Sequence, residues 1–246
     1  APGMVGLLEP RAGVLFPEAC IEAALAGAVR AGATVRLGEE AQNWTADDDG
    51  VTVRTSGGAW SAGQVVFAAG AWISQLVPDL PLAVERQVLH WFEPTGKAEA
   101  LSPDACPIAL WEFAPGRVFY TFPDMGDGVK AALHHDGEPA DPDRVRREVS
   151  VEDEEEVRAL LARLVPAAAG RLRESCVCLY TNSPDQHFLI DRHPAHARVL
   201  LVSPCSGHGF KFAPVVGEAV ADLLLEGRSR FDLRPFALDR FGASAP

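Results

Sequence analysis

Tyrosine, methionine and lysine are scarce in this 246-residue chain: two, two and three copies, against nineteen arginines. Positive charge is also short. Twenty-two basic residues face 34 acidic ones, a formal net charge of −12. A global field of that sign works against nucleic acid and anionic membrane as partners. No apolar run reaches the ~18–20 residues of a membrane-spanning helix. The opening residues, APGMVGLLEPRAG, lack the basic-then-apolar layout of a secretory leader. Five cysteines are an odd number with no compact disulfide spacing, so reduced thiols and a cytoplasmic location are expected. Neither GxGxxG nor GxxxxGK[ST] occurs, which removes the two commonest nucleotide fingerprints.

What is present suffices for a sizeable core: 48% of the residues are apolar and 23% charged. PEACIEAALAGAVR predicts a helix from Pro17, with Ile21, Leu25 and Val29 on one face and Gly32 beyond its end. ATVRLG reads as a strand. AQNWTADDDGVTVRTSGGAWSAG reads as short strands joined by DDDG and SGG turns. QVVFA, residues 64–68, is a short, fully apolar strand that runs into Gly70. Pro78 and Pro81 mark a crossing between domains. Strand-like runs follow in VERQVLHWFEP, PIALWEFA, RVFYTFP and GVKAALHH. DPDRVRREVSVEDEEEVRALLARLVP reads as charged, helical surface, acidic early and basic late in its second half. SCVCLYT, HFLIDRHP and RVLLVSP are further strands, and GFKFAPVVGEAVADLLLEG is a helix closed by Gly227. This order implies α+β or mixed α/β architecture.

Three places carry chemistry. Where arginine is the default cation, a lysine offers a compact, tunable charge instead. Lys97, in EPTGKAEA, reads as an ordinary surface residue. Lys130 lies inside an apolar run, where a lysine is costly unless paired or used, although snorkelling at a sheet edge would also explain it. His134 shares its strand face, and the adjacent His135 leaves the choice between the two histidines open. In SCVCLYT, Cys176, Cys178 and Tyr180 share a face; the cysteines read as small buried hydrophobes, and a metal reading is weak because no second cysteine pair has zinc spacing. Finally, the strand LLVS enters Ser203-Pro-Cys-Ser-Gly-His-Gly-Phe-Lys-Phe212, a Gly-rich turn opening a helix. Free backbone N–H groups there suit an electron-rich ligand group, and Lys211 stands where a cation opposes the helix dipole. An ordinary strand–helix loop is the other reading.

Together GVLFPEACIEAAL, VVFAAGAW, QVLHWFEP, CLYTNSPDQHFLID and SGHGFKF, in this order and spacing, resemble the flavin-dependent amine oxidases of the monomeric sarcosine oxidase and N-methyltryptophan oxidase family. The resemblance runs from about Gly13 to Phe236. It implies oxidative demethylation of a secondary amine such as sarcosine or another N-methyl amino acid, giving aldehyde, amine and hydrogen peroxide, with FAD as cofactor and O2 as acceptor. It implies Cys178 as the covalent attachment point of FAD and Gly70 as part of the FAD-contacting strand end. Gly207, His208, Gly209, Phe210 and Lys211 would hold the flavin ring. Lys130, His134 and Lys211 are the catalytic candidates, Lys130 for the reaction with oxygen. Tyr120, His134, Tyr180 and Lys211 are the substrate-binding candidates. No metal is implied.

The departures are specific. ALHH stands where the family usually has an aromatic before the histidine, and the GDG loop before Lys130 is slightly short. The family's initial FAD-binding βαβ unit with GxGxxG, and an arginine for the substrate carboxylate, have no counterpart in these residues. The resemblance therefore implies the C-terminal part of a longer oxidase: residues 1–80 a partial, Rossmann-like FAD-binding domain, 81–190 a mostly antiparallel substrate domain, and 191–246 a return to the first. A non-catalytic remnant, or one subunit of a split oxidase paired with a separate FAD-binding chain, are the alternatives.

Overall fold

Just past Pro78 and Pro81 the chain passes from one compact unit to another. The computed structural model describes residues 3–242. One unit comprises Ala1–Val14 with Val84–Tyr180, and the other Leu15–Ala83 with Thr181–Pro246. The sequence placed the return near residue 191; here the division falls after Tyr180.

The unit around 84–180 is built on an antiparallel sheet. Its strands are β5 (Ala83–Phe92), β6 (Ala109–Ala114), β7 (Arg117–Phe122), β8 (Val129–His134), β9 (Glu138–Pro139) and β10 (Leu172–Asn182). They run in the order β10-β5-β8-β7-β6, with β9 on β5. The register sets the faces. Trp91 pairs with Lys130 across β5 and β8, and Phe122, Tyr120 and Val118 of β7 pair with Lys130, Ala132 and His134. Alternation then sends Phe92, Phe119, Val129 and Ala131 to the opposite face, where they pack against Val157, Leu160 and Leu161 of helix α3 (Val151–Leu164). The apolar spacing of α3 matches that buried stripe.

Helix α3 starts later than the sequence suggested. Residues 140–150 are not helical. The Arg86 guanidinium engages the carbonyls of Arg146 and Glu148, which a longer helix would need for itself. Ser150 then caps the helix with a reciprocal Ser150–Asp153 capping box.

In the other unit, α1 (Pro17–Arg30) is followed by the antiparallel meander β1 (Ala41–Ala46), β2 (Val51–Thr55) and β3 (Gly58–Ala62). The expected strand at 33–38 does not form. Leu37 is 85% exposed there, and strand propensity without a partner strand is not enough. Helix α1 has the expected periodicity, yet no residue of it is buried, and Ile21, Leu25 and Val29 stay exposed. A second sheet has the order β11-β12-β4, from β4 (Val65–Phe67), β11 (Leu189–His193) and β12 (His196–Ser203). QVVFA and RVLLVS thus lie side by side, with Val199, Leu200 and Leu201 paired in parallel to Val65, Val66 and Phe67. One face buries Phe67, Leu189, Val199 and Leu201 against Ile73 and Val77, around the short helix α2 (Ile73–Leu76). The other buries Ile190, Leu200 and Val202 against Val216 of α4 (Ala213–Leu225).

Candidate active site

In the antiparallel unit, five of the sequence-predicted residues share one sheet face: Tyr120, Lys130, His134, Cys178 and Tyr180. His134 Nδ1 and the Tyr180 hydroxyl share a hydrogen bond of 3.1 Å. Their rings are 5.6 Å apart, and the Tyr120 ring lies 6.3 Å from His134. Tyr120 also hydrogen-bonds Tyr180. Burial pushes both phenols well above the ordinary tyrosine range, and the Cys178 thiol beside them pushes the same way. Both are therefore neutral donors or acceptors at any physiological pH.

Lys130 is half-buried with its Nζ 5.3 Å from the centre of the Trp91 ring and 5.3 Å from that of Phe122. Two aromatic faces offset part of the cost of desolvating the ammonium. The sequence flagged the lysine but not these partners; they become visible only once the register is known. The same ammonium draws the Cys176 thiol down, against a larger upward push from burial. Cys176 and Cys178 are both half-buried and reduced.

The Lys211 residues belong to the other unit. At the carboxyl ends of the parallel strands β4 and β12 the chain turns sharply. Gly70, after β4, has φ +54, and a Cβ there would meet nothing within 4 Å. After β12, Ser206 and Gly207 take φ of +48 and +73. Gly209 is required sterically, since a Cβ there would come within 1.5 Å of the Pro204 carbonyl oxygen. His208 Nε2 lies 3.0 Å from the Gln186 carbonyl and stacks on Phe188, with ring centres 5.0 Å apart. Phe210–Phe212 forms a 3-10 turn before α4, and Lys211 Nζ donates to the His208 carbonyl at 3.1 Å. Lys211 and Phe210 are exposed. The carboxyl ends of parallel strands, with a tight turn opening a helix, are where open α/β sheets bind ligands.

Residues 2–223 match the family model described as FAD dependent oxidoreductase. The chain belongs to this family. It is 38% identical over 246 residues to a monomeric sarcosine oxidase of Streptomyces avermitilis, covering 98% of this chain and 64% of that protein. It is 36% identical to an N-methyl-L-tryptophan oxidase of Salmonella dublin, covering 96% of this chain and 63% of that one. Among solved structures, L-proline dehydrogenase from P. horikoshii superposes with a TM-score of 0.75 at 22% identity, over 90% of this chain and 59% of the other; that likeness is one of fold. The chain thus spans about 61–64% of the length of the sarcosine oxidases it matches.

Two features lie outside the set of predicted site residues, the first with no signal in the sequence and the second raised there only as an alternative to His134. One is Arg86, 3% exposed in its side chain, which makes a two-pronged ion pair with Asp153 at 2.9 and 3.0 Å. It ties the start of α3 to β5, the strand paired with Lys130. The other is His135, whose ring lies 4.2 Å from that of His134. A cavity of about 280 Å³ in the same unit is lined by Arg86, Leu133, Glu138, Asp153 and Glu156 among others. None of the predicted site residues borders it, so it is not the candidate site. No membrane-spanning helix and no cluster of three or more metal-binding side chains exists among the described residues.

The residues present fit a flavin in chemical type. The Ser206 and His208 N–H groups already donate to the Thr181 and Cys205 carbonyls, so what the turn brings to an electron-rich ring edge is the opening of α4 and one cation, Lys211. Gly70 leaves open space at the neighbouring strand end. Cys178 supplies a reduced thiol.

Proposed function

We propose that this chain carries the substrate-side machinery of a flavin-dependent oxidase that demethylates an N-methyl amino acid such as sarcosine. The reaction consumes the secondary amine, O2 and water, and yields formaldehyde, the primary amine and hydrogen peroxide. The single observation that carries the reading is the set of residues on one sheet face: a half-buried lysine between two aromatic rings and, further along the same face, a histidine bonded to a neutral tyrosine. The names and identities of its relatives support the substrate class.

Bound FAD would accept a hydride equivalent from the N-methyl carbon and pass two electrons to O2. Cys178 is the residue proposed to hold it covalently, and Gly70 with the turn Gly207, His208, Gly209, Phe210 and Lys211 to hold it non-covalently. Lys211 would favour negative charge at that edge. Lys130 keeps a cation in a half-apolar setting, where it stabilises negative charge developing on oxygen far better than water does. Tyr120 and Tyr180 remain protonated and present hydroxyls to a small zwitterion without adding charge. His134, fixed by Tyr180, closes the same face. The test is stoichiometry: sarcosine oxidised in air should give hydrogen peroxide and formaldehyde in equal amounts. Peroxide without formaldehyde would refute demethylation and point to oxidation of the Cα–N bond, with glyoxylate and methylamine as the products.

A further inference from the structure

Along a β-strand, successive side chains point to opposite faces. His134 and His135 do not obey this. Both rings lie against Tyr180, His134 at 5.6 Å and His135 at 5.3 Å between centres. The cause is the backbone of His135, which has φ +57 at the end of β8, a left-handed conformation rare outside glycine, though histidine is among the residues enriched there. The turn swings its ring back onto the face that alternation would deny it. The next residue is anchored: Asp136 accepts from Arg117 Nε at 2.9 Å, and Arg117 also pairs with Glu156 of α3 at 2.9 Å. Sparsely populated backbone of this kind persists where the surroundings over-determine it and clusters at functional sites.

We propose that His135 is a positioning residue whose ring, buttressing His134 edge-on at 4.2 Å, holds His134 Nδ1 at the Tyr180 hydroxyl. The imidazole of His134 is then enclosed on three sides, by Tyr120, Tyr180 and His135. Its role in the reaction rests on the oxidase reading, but the positioning does not. The contact is made by the ring, so an aromatic ring without nitrogen serves equally. The left-handed backbone is the conformational cost of placing that ring, and glycine would remove cost and ring together.

The test is nitrogen-detected NMR of the His134 ring in the 246-residue chain, with no flavin or substrate present. Failure here is therefore distinguishable from failure of the oxidase reading. In the wild type, the two ring nitrogens of His134 should show the separate shifts of a single tautomer. His135→Phe should keep that pattern. His135→Gly should lose it, the two shifts moving together toward the average of a freely exchanging imidazole, while its melting temperature is not lowered. His135→Asn, which also accepts a left-handed backbone, is a second ring-free variant and should behave like glycine. An unchanged His134 pattern in the ring-free variants would overturn the proposal. So would its loss in His135→Phe, because the nitrogen rather than the ring would then be the agent.

Discussion

Asp153→Ala should be among the most damaging single substitutions in the antiparallel unit. Asp153 receives both prongs of the Arg86 guanidinium, accepts from the Ser150 backbone at 2.8 Å, and takes a further contact from Arg146 at 3.2 Å. Removing it leaves the Arg86 charge, 3% exposed in its side chain, with the more exposed Glu138 at 3.4 Å as its remaining carboxylate. Breaking a buried pair on one side costs about 3–5 kcal/mol, chiefly from the charge left behind. Loss of the reciprocal half of the capping box, the Ser150 N–H bond to the Asp153 carboxylate, adds up to about 1 kcal/mol, while the Ser150 cap itself remains. With that bond at its full value, a total of about 4–6 kcal/mol corresponds to a melting temperature lower by roughly 8–24 °C for a chain of this size. Thermal and urea unfolding of the wild type and variant give the difference. Arg86→Met with Asp153→Leu should recover most of it, since an apolar pair leaves no buried charge. The pH dependence has a fixed sign. Arg86 holds the Asp153 carboxyl far below the usual range. Its contribution is thus complete above the unfolded pKa of about 3.9 and fades as pH falls toward the depressed folded value. An Asp153→Ala variant within about 1 kcal/mol of wild type would show that the ion pair does not anchor α3 and would refute this reasoning.

The chain has only two tyrosines, both raised, so ultraviolet titration reads them without interference: the folded protein should show almost no phenolate at about pH 10, where free tyrosine is half ionised. Stability from keeping both phenols neutral is full below that pH and declines above it, and half the phenolate signal at pH 10 in folded protein would contradict the burial described. Gly209→Ala should disrupt the β12–α4 turn, costing more than about 2 kcal/mol because the Pro204 carbonyl cannot yield space, whereas Gly70→Ala, in open space with φ +54, should cost about 1 kcal/mol; the unfolding midpoints of the two decide it. Covalent flavin, where present, should sit on Cys178: mass spectrometry after Cys178→Ser should show none, and after Cys176→Ser an unchanged adduct. The reverse result would favour Cys176, the thiol that feels the Lys130 cation.

How far the sequence could be read depended on period and register. The period-2 patterns of RVFYTF and VKAALH were enough to place Tyr120, Lys130 and His134 on strands, and the rarity of lysine and tyrosine singled them out. Nothing local could show that Trp91 and Phe122 flank Lys130, because cross-strand pairing decides that. His135 was legible only as an ambiguity, since its left-handed turn is set by surrounding contacts and not by its own preference. The charged stretch from Asp141 looked helical throughout, but Arg86, 60 residues before the first carbonyl it engages, competes for its backbone. At 33–38 an apolar, β-prone run found no partner strand. The turn from Ser203 to Phe212 was read correctly as strand, turn and helix because glycine and the apolar run after it mark each boundary.

The most direct measurement follows the visible absorption of bound flavin when sarcosine is added without oxygen. The protein should be purified from its own host with its flavin in place. An N-methyl amino acid oxidase should bleach on addition of sarcosine or another N-methyl amino acid and recover on admitting air, releasing one peroxide and one formaldehyde per cycle. A flavin-containing preparation that stays fully oxidised with every N-methyl amino acid tried would contradict the assignment.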